Sequence, residues 1–226
     1  MLDPSDEMPL IRLDRQTSLG EKAYVSLKAA IIRGEFAPGQ KLTLRAVASA
    51  LGVSTTPARD AITRLIGEGA LTNIGPKTVV LPPLTRSTLD EVTAIRLSLE
   101  GMSAVVATAR IAGPDIERLK QIQEHINTAL DERNYANALK FNRNFHFLIY
   151  ESSGMPRLVS MIESLWLRIG PSLNDLYPNF ATSRVGVANH MAAIAGLDGR
   201  DPLRVRAAIE KDIRDGYERL IAVVAE

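Results

Sequence analysis

The chain of 226 residues contains no cysteine, which excludes a disulfide framework and a thiolate metal site and suits a reducing compartment. Aromatic residues make up only 5% of it, with one tryptophan, and there are three histidines. Long hydrophobic runs are missing, since none reaches the roughly 18 residues of a membrane span. The opening MLDPSDEMP is acidic, unlike the basic and then apolar start of a secretory leader. These absences read as a soluble, cytoplasmic chain without a membrane partner. An excess of one charge is also lacking: the formal net charge is +1, which favours no partner class by itself. What the sequence does have is 46% hydrophobic residues, enough for ordinary cores, in a length between one domain and two.

Charge is uneven along the chain. Residues 19–81 hold eight Lys/Arg and four Asp/Glu, a modest local excess suited to a module that touches a few phosphates. Within it, GVSTTPARDAITRLIGEGA, Gly52 to Ala70, has the length, cap and charge placement of a helix that lies against DNA. Ser54 is the expected N-cap, its hydroxyl bonding the first turn, and Pro57 is tolerated because first-turn amides have no intrahelical partner. Ala58, Ala61, Ile62, Leu65 and Ile66 recur at spacings of three and four, so one face packs inward and Thr55, Thr56 and Arg59 face out. Thr43 to Leu51 reads as a shorter helix joined to this one by Gly52-Val53-Ser54, the pattern of a helix-turn-helix with the second helix as reader. A helix from about Leu19 to Arg33 precedes the pair and ends at Gly34. After the reader, Leu71 to Ile74 and Thr78 to Leu81 read as two short strands turned by Gly75-Pro76-Lys77, a wing with Lys77 at its tip.

The segment from Leu19 to Leu81 closely resembles the winged helix-turn-helix of the GntR family of bacterial regulators: the APG loop, the LGVS turn, the TPAR helix start and the EGA ending occur in register. The remainder is similar to the all-helical effector domain, the FCD domain, of that family's FadR-type branch. The family commonly has an Arg after the turn Ser, and this chain departs from it with Thr55.

The expected fold class is mainly α, an N-terminal winged helix-turn-helix joined to an antiparallel bundle of about six helices. Residues 1–18 read as a mobile arm, 19–82 as the DNA-binding domain, 83–87 as a linker entered through Pro82-Pro83, and 88–226 as the domain for effector binding and dimerisation. The six helices are expected over Thr88 to Ile111, Pro114 to about Arg133, Tyr135 to Ser153, from Pro156 to a kink or break at Gly170-Pro171, Ser183 to Leu197, and Pro202 to Ala225.

Several polar residues sit at spacings that point into such a bundle. Asn142 and His146 share a face with Leu139, Phe145 and Ile149; His190 lies among Gly186, Val187, Ala193 and Ile194; Asp212 lies among Ala208, Ile209, Ile213 and Gly216. Four polar groups from three helices thus converge on one interior, where an unpaired carboxylate costs on the order of several kcal/mol. A divalent cation would satisfy all four. The resemblance implies the same, because an FCD domain typically holds a metal with an Asp, a His four residues later in an FH pair, and two further His on the last two helices. Here FNRNFH supplies His146 with Asn142 in place of the acid, NHMAAI supplies His190, and IEKDI has Asp212 where the last His is expected. Two readings follow. In one the site has decayed, Asp212 pairs with an Arg and the imidazoles are hydrogen-bonded core residues. In the other the changes compensate, since one carboxylate is retained on another helix. Zinc is the expected metal, with nickel, manganese or iron as alternatives.

The resemblance further implies that the metal's open positions take the carboxylate of a small metabolite, helped by an Arg of the first bundle helix. Arg96, within EVTAIRLSLEG, matches that Arg, and the plainer alternative is an ordinary pair with Glu100. His125 matches no motif and reads as a surface residue. The function expected from these features is a homodimeric transcriptional regulator, a repressor by the family's habit, whose two winged modules bind a short inverted repeat of double-stranded DNA under the control of a small organic acid. Arg59 is the expected guanine contact, Arg45 and Lys77 position the backbone, and Thr55 and Thr56 reach phosphate or a base edge. Two other classes fit parts of the sequence. A metal-dependent enzyme acting on a small acid is one, since two His and one Asp can activate water, although it leaves the first module without a purpose. A DNA-binding dimer with a ligand-free pocket is the other.

Overall fold

The computed structural model describes residues 18–173, 184–222 and 224. The expected arm, apart from Ser18, lies outside the described residues, as do Ser183 and Ala225, the outer ends expected for two bundle helices.

The first module consists of α1 (Leu19–Ile32), β1 (Lys41–Thr43), α2 (Leu44–Leu51), α3 (Thr55–Gly67), β2 (Thr72–Gly75) and β3 (Thr78–Val80). Its interior is built by the inward faces read from the sequence: Tyr24, Leu27 and Ile31 of α1, Val47 of α2, and Ala58, Ala61, Ile62 and Leu65 of α3. The wing has one strand more than expected. β1 pairs antiparallel with β3, in register Leu42↔Val79, and gives the sheet order β1-β3-β2. Three residues are too few to show a period of two, so only the tertiary pairing reveals this strand. Thr43 ends it and caps α2, its Oγ1 accepting from the Ala46 amide at 3.2 Å.

Ser54 departs from expectation. It stands at the N-cap of α3 with φ −70° and ψ 168°, but its hydroxyl makes no capping bond. A cap oxygen accepts from the second or third helical amide, and here the third residue is Pro57, which has no N–H.

The second module is a bundle of α4 (Arg86–Arg110), α5 (Gly113–Asp131), α6 (Tyr135–Ser152), α7 (Pro156–Leu173), α8 (Val185–Asp198) and α9 (Pro202–Leu220). Phe145, Ile149 and Tyr150 of α6, Leu119 of α5, Ile162 of α7, Leu197 of α8 and Val205 of α9 form its core. By length and composition α4 is apolar enough to cross a membrane. Its Leu89, Val92, Ala104 and Ala107 are instead buried within the protein.

The expected interruption at Gly170-Pro171 does not end α7, which runs through Pro171 to Leu173. A proline within a helix removes one backbone bond, that to the carbonyl four residues back, and α7 continues past it. Gly170 has a packing role: a Cβ there would stand 3.3 Å from both the Cα and the carbonyl oxygen of Ile32, so the missing side chain lets α7 lie directly against the end of α1. In consequence α7 serves both modules. Trp166 belongs to the bundle core, while its neighbour Leu167 is packed in the core of the winged module.

Candidate functional site

The reading surface begins at the N-terminus of α3. Thr55, Thr56 and Arg59 are exposed, as are Arg45 on α2 and Lys77 in the wing turn. The first turn of α3 contains no acidic side chain and no capping bond, so its amides present partial positive charge outward. Arg59 and Lys77 line the same groove of about 250 Å³ between α3 and the wing. The Leu44 amide donates to the carbonyl oxygen of Lys77 at 3.1 Å, which holds the wing turn against the start of α2, beside Arg45.

The interior site lies in the bundle. His146 on α6 and His190 on α8 are 1% and 2% exposed, and Asp212 on α9 is within reach of both. His146 Nε2 is 3.2 Å from Asp212 Oδ2 and 3.2 Å from His190 Nε2. The other nitrogen of each ring is engaged. His190 Nδ1 stands 2.7 Å from Gln123 Oε1, and Gln123 in turn donates through Nε2 to Asn127. An amide oxygen only accepts, so His190 carries its proton on Nδ1. Tyr150 donates its single hydroxyl proton to Glu100 Oε2 at 2.5 Å, so at 3.1 Å from His146 Nδ1 it can only accept. Both imidazoles therefore turn an Nε2 lone pair inward, that of His146 toward Asp212 and that of His190 toward His146. Three acceptors meet with no hydrogen among them. A proton would satisfy one pair, whereas a divalent cation satisfies all three. The two separations of 3.2 Å match the ligand-to-ligand edge of about 3.3–3.4 Å in a tetrahedral site with bonds of about 2.0–2.1 Å.

Burial pushes the His190 imidazolium down to about 3, with the Asp212 carboxylate opposing; the ring is neutral and free to ligate. Burial favours the neutral form of Asp212 as well, but the closeness of the His146 ring, followed by His190 and the Asn189 amide, outweighs it and lowers the carboxyl to about 2. Asn189, 5% exposed, donates to Asp212 Oδ1 at 3.3 Å and Asp215 Oδ2 at 2.7 Å. Among the described residues no Arg pairs with Asp212, as the decayed-site reading requires.

Asn142 lies one helical turn before His146 and, with Asp212, lines a cavity of about 50 Å³. Arg96 lines it too, and the structure forms the pair with Glu100 that the plainer reading of this residue expected. Its Nε donates to Glu100 Oε1 at 2.6 Å and its Nη2 to Glu100 Oε2 at 3.3 Å. Glu100, fully buried, also accepts from Trp166 Nε1 at 3.0 Å. His125 is exposed. Sequence reasoning missed Gln123, Tyr150 and Asn189 altogether and took Glu100 only as a partner for Arg96. The available signal for Gln123 was a polar residue at the spacing of Leu119 and Ile126 on an otherwise apolar face.

Residues 19–77 match the family of bacterial regulatory proteins called the gntR family, and residues 91–215 match the FCD domain. The chain is 32% identical over 189 residues to the HTH-type transcriptional regulator McbR of Escherichia coli, covering 83% of this chain and 86% of McbR. The structure of E. coli McbR/YncC superposes with a TM-score of 0.87 at 30% identity, covering 92% of this chain and 99% of that one. The Nta operon transcriptional regulator of Aminobacter aminovorans is 29% identical over 84% of this chain and 88% of its own length. The HTH-type transcriptional repressor GlaR of E. coli is 26% identical over 63% and 67%. FCD domains are associated with metal-binding pockets, and His146, His190 and Asp212 form a possible site of that kind. The relatives are transcriptional regulators and not enzymes, and this chain belongs to the GntR family of DNA-binding transcriptional regulators, in the FadR-type branch that carries an FCD effector domain.

Proposed function

We propose that the protein is a cytoplasmic homodimeric repressor whose hold on its operator is set by a small organic acid bound beside a divalent metal ion. The division of labour is that of the two modules: residues 19–82 bind DNA, 83–87 link, and 88–226 bind effector and dimerise. The observation that carries the sensing half is the meeting of three acceptor atoms, His146 Nε2, His190 Nε2 and Asp212 Oδ2, with no proton donor between them. Zinc suits two imidazoles and one carboxylate best, nickel, manganese and iron less well. His146, His190 and Asp212 would hold the ion, with Asn142 as a weaker neutral donor from the adjoining turn. When bound, the ion supplies a Lewis-acidic position for a carboxylate.

The chain's own residues define what else fits there. The cavity of about 50 Å³ is a few times the 10–15 Å³ that a single water needs, which suits a carboxylate and one or two further atoms. Arg96 lines this space while paired with the fully buried Glu100 and provides the matching positive charge. A larger acid has to displace side chains, and that displacement is the means by which its binding changes the protein. The route to the reader is α7, because Trp166 packs near His146, with ring centroids 5.4 Å apart, and Leu167 is embedded in the winged core. For the dimer we assign the face of α4 that carries exposed Ile95 and Met102, seven residues apart. Repression then follows from occupation of the operator, in keeping with the relative GlaR, a transcriptional repressor.

On the DNA, Arg59 reads guanine with a bidentate pair, Thr55 and Thr56 reach phosphate or a base edge, and Arg45 and Lys77 hold the backbone. Arg59→Ala is expected to cost about 1–3 kcal/mol of discrimination at one base pair. Lys77→Ala should weaken all sequences alike and reduce the salt slope by about 1. Binding selections from random duplexes, followed by titrations at several salt concentrations, separate the two effects. Unchanged sequence preference in Arg59→Ala overturns the assignment. Elemental analysis of the purified wild-type protein tests the sensing half, and a stoichiometric metal that is lost from His146→Ala is the expected result.

A further inference from the structure

Glu100 is a carboxyl side chain with no exposure at all in the middle of a helical bundle, and donors fill every acceptor position it offers. Arg96 Nε and Trp166 Nε1 donate to Oε1 at 2.6 and 3.0 Å, while the Tyr150 hydroxyl and Arg96 Nη2 donate to Oε2 at 2.5 and 3.3 Å. Tyr150 is equally buried, and its oxygen is the only partner of His146 Nδ1 among the described residues. A continuous line of hydrogen bonds thus runs from the cavity-lining guanidinium of Arg96 through Glu100 and Tyr150 to the imidazole of His146. The line has a direction. A carboxylate at its head has no proton to give, so the Tyr150 proton points to Glu100 and the His146 proton points to Tyr150.

We propose that Glu100, acting through Tyr150, is the positioning residue that fixes His146 as the Nδ1–H tautomer and so keeps its Nε2 lone pair available to a cation. This rests on the metal reading above for its purpose, but not for its test. The direction of the line is set by the head group alone, which makes the isosteric change Glu100→Gln informative. Arg96 Nε and Trp166 Nε1 both need an acceptor at the Oε1 position, so the carboxamide oxygen takes that place. Its NH2 group then takes the place of Oε2, gives up the longer 3.3 Å bond from Arg96 Nη2, and donates to Tyr150. Tyr150 turns its own proton to His146 Nδ1, and the His146 proton moves to Nε2, where it faces Asp212 and His190 and occupies the ligand position.

The experiment is two-bond 1H–15N correlation of the histidine rings in the metal-free full-length protein, paired with zinc titration against a chromophoric chelator. Wild-type His146 should show the Nδ1–H tautomer, Glu100→Gln the Nε2–H tautomer, and Tyr150→Phe, which leaves the pair of Arg96 and Glu100 intact, a mixture. Zinc binding should weaken by about 10–100-fold in both variants, the usual cost of losing an outer partner of a ligating histidine. A merely structural role for Glu100 would lower stability without inverting the tautomer. An unchanged His146 tautomer in Glu100→Gln overturns the proposal, and should that variant fail to fold, an unchanged tautomer in Tyr150→Phe does so. If wild-type protein binds no zinc, the metal reading fails by itself, while the ring spectra still decide what Glu100 and Tyr150 do to His146.

Discussion

Leu167 and Trp166 are neighbours on α7 whose removal should destabilise different modules. Leu167 is 1% exposed and packed in the core that α1, α3 and the wing build, far from it in sequence. Replacing a buried leucine by alanine costs about 2–5 kcal/mol through lost transfer energy and the cavity left behind. A module of this size has roughly 3–10 kcal/mol of stability in all, so Leu167→Ala should remove a large share of what holds the DNA-reading half together. Trp166, 3% exposed, lies in the bundle core and donates to Glu100, and Trp166→Phe removes that bond and part of the packing there. Hydrogen exchange of the full-length chain, read peptide by peptide, distinguishes the two. Leu167→Ala should reduce protection more than tenfold, which is about 1.4 kcal/mol, in α1 and α3 while α5 keeps its own. Trp166→Phe should show the opposite distribution. Loss of protection in α5 with α3 unchanged in Leu167→Ala would refute the view that α7 is shared between the cores. A fragment ending at Leu81 lacks this leucine and should be less stable alone than within the whole chain.

Two further outcomes follow from the caps and from the interior site. Thr43→Ala should cost about 0.5–2 kcal/mol, as loss of a bonded N-cap does, whereas Ser54→Ala, whose hydroxyl bonds nothing in the helix, should leave the urea midpoint almost unmoved; equal losses would contradict the cap geometry. For pH, burial lowers the folded-state His190 to about 3 against an ordinary 6.5, so between those values the unfolded chain binds a proton that the folded one does not. Stability of the metal-free protein is therefore complete above about pH 6.5 and falls as pH drops toward 3, by roughly 2 kcal/mol at pH 5 at about 1.4 kcal/mol per unit. Asp212, held at about 2 against its ordinary 3.8, adds a loss in the same direction as pH falls from about 3.8 to 2. Urea unfolding in chelator at pH 8, 6 and 5 measures this, and a flat midpoint would show that the imidazole is not buried neutral.

The sequence by itself determined the class of fold, the helix faces and the exposed reading residues, because these depend on local rules: period 3.6, glycine at helix ends, and a turn between two short helices. It also brought His146, His190 and Asp212 to one interior, since each lies on the apolar side of its own helix. The tertiary structure decided whatever depends on partners distant in the chain. β1 exists only through its pairing with β3, and Ser54 loses its capping role to a proline three residues on. Leu167 joins a core that no periodicity within α7 could have named. Glu100 of α4 reaches His146 through Tyr150 of α6, Gln123 of α5 meets His190, and Arg96 is both paired and cavity-lining. A helical period tells which face of an element is inward, but the identity of the group it meets there is fixed only when separate helices pack, and at this site that identity decides whether three polar atoms repel one another or together bind a cation.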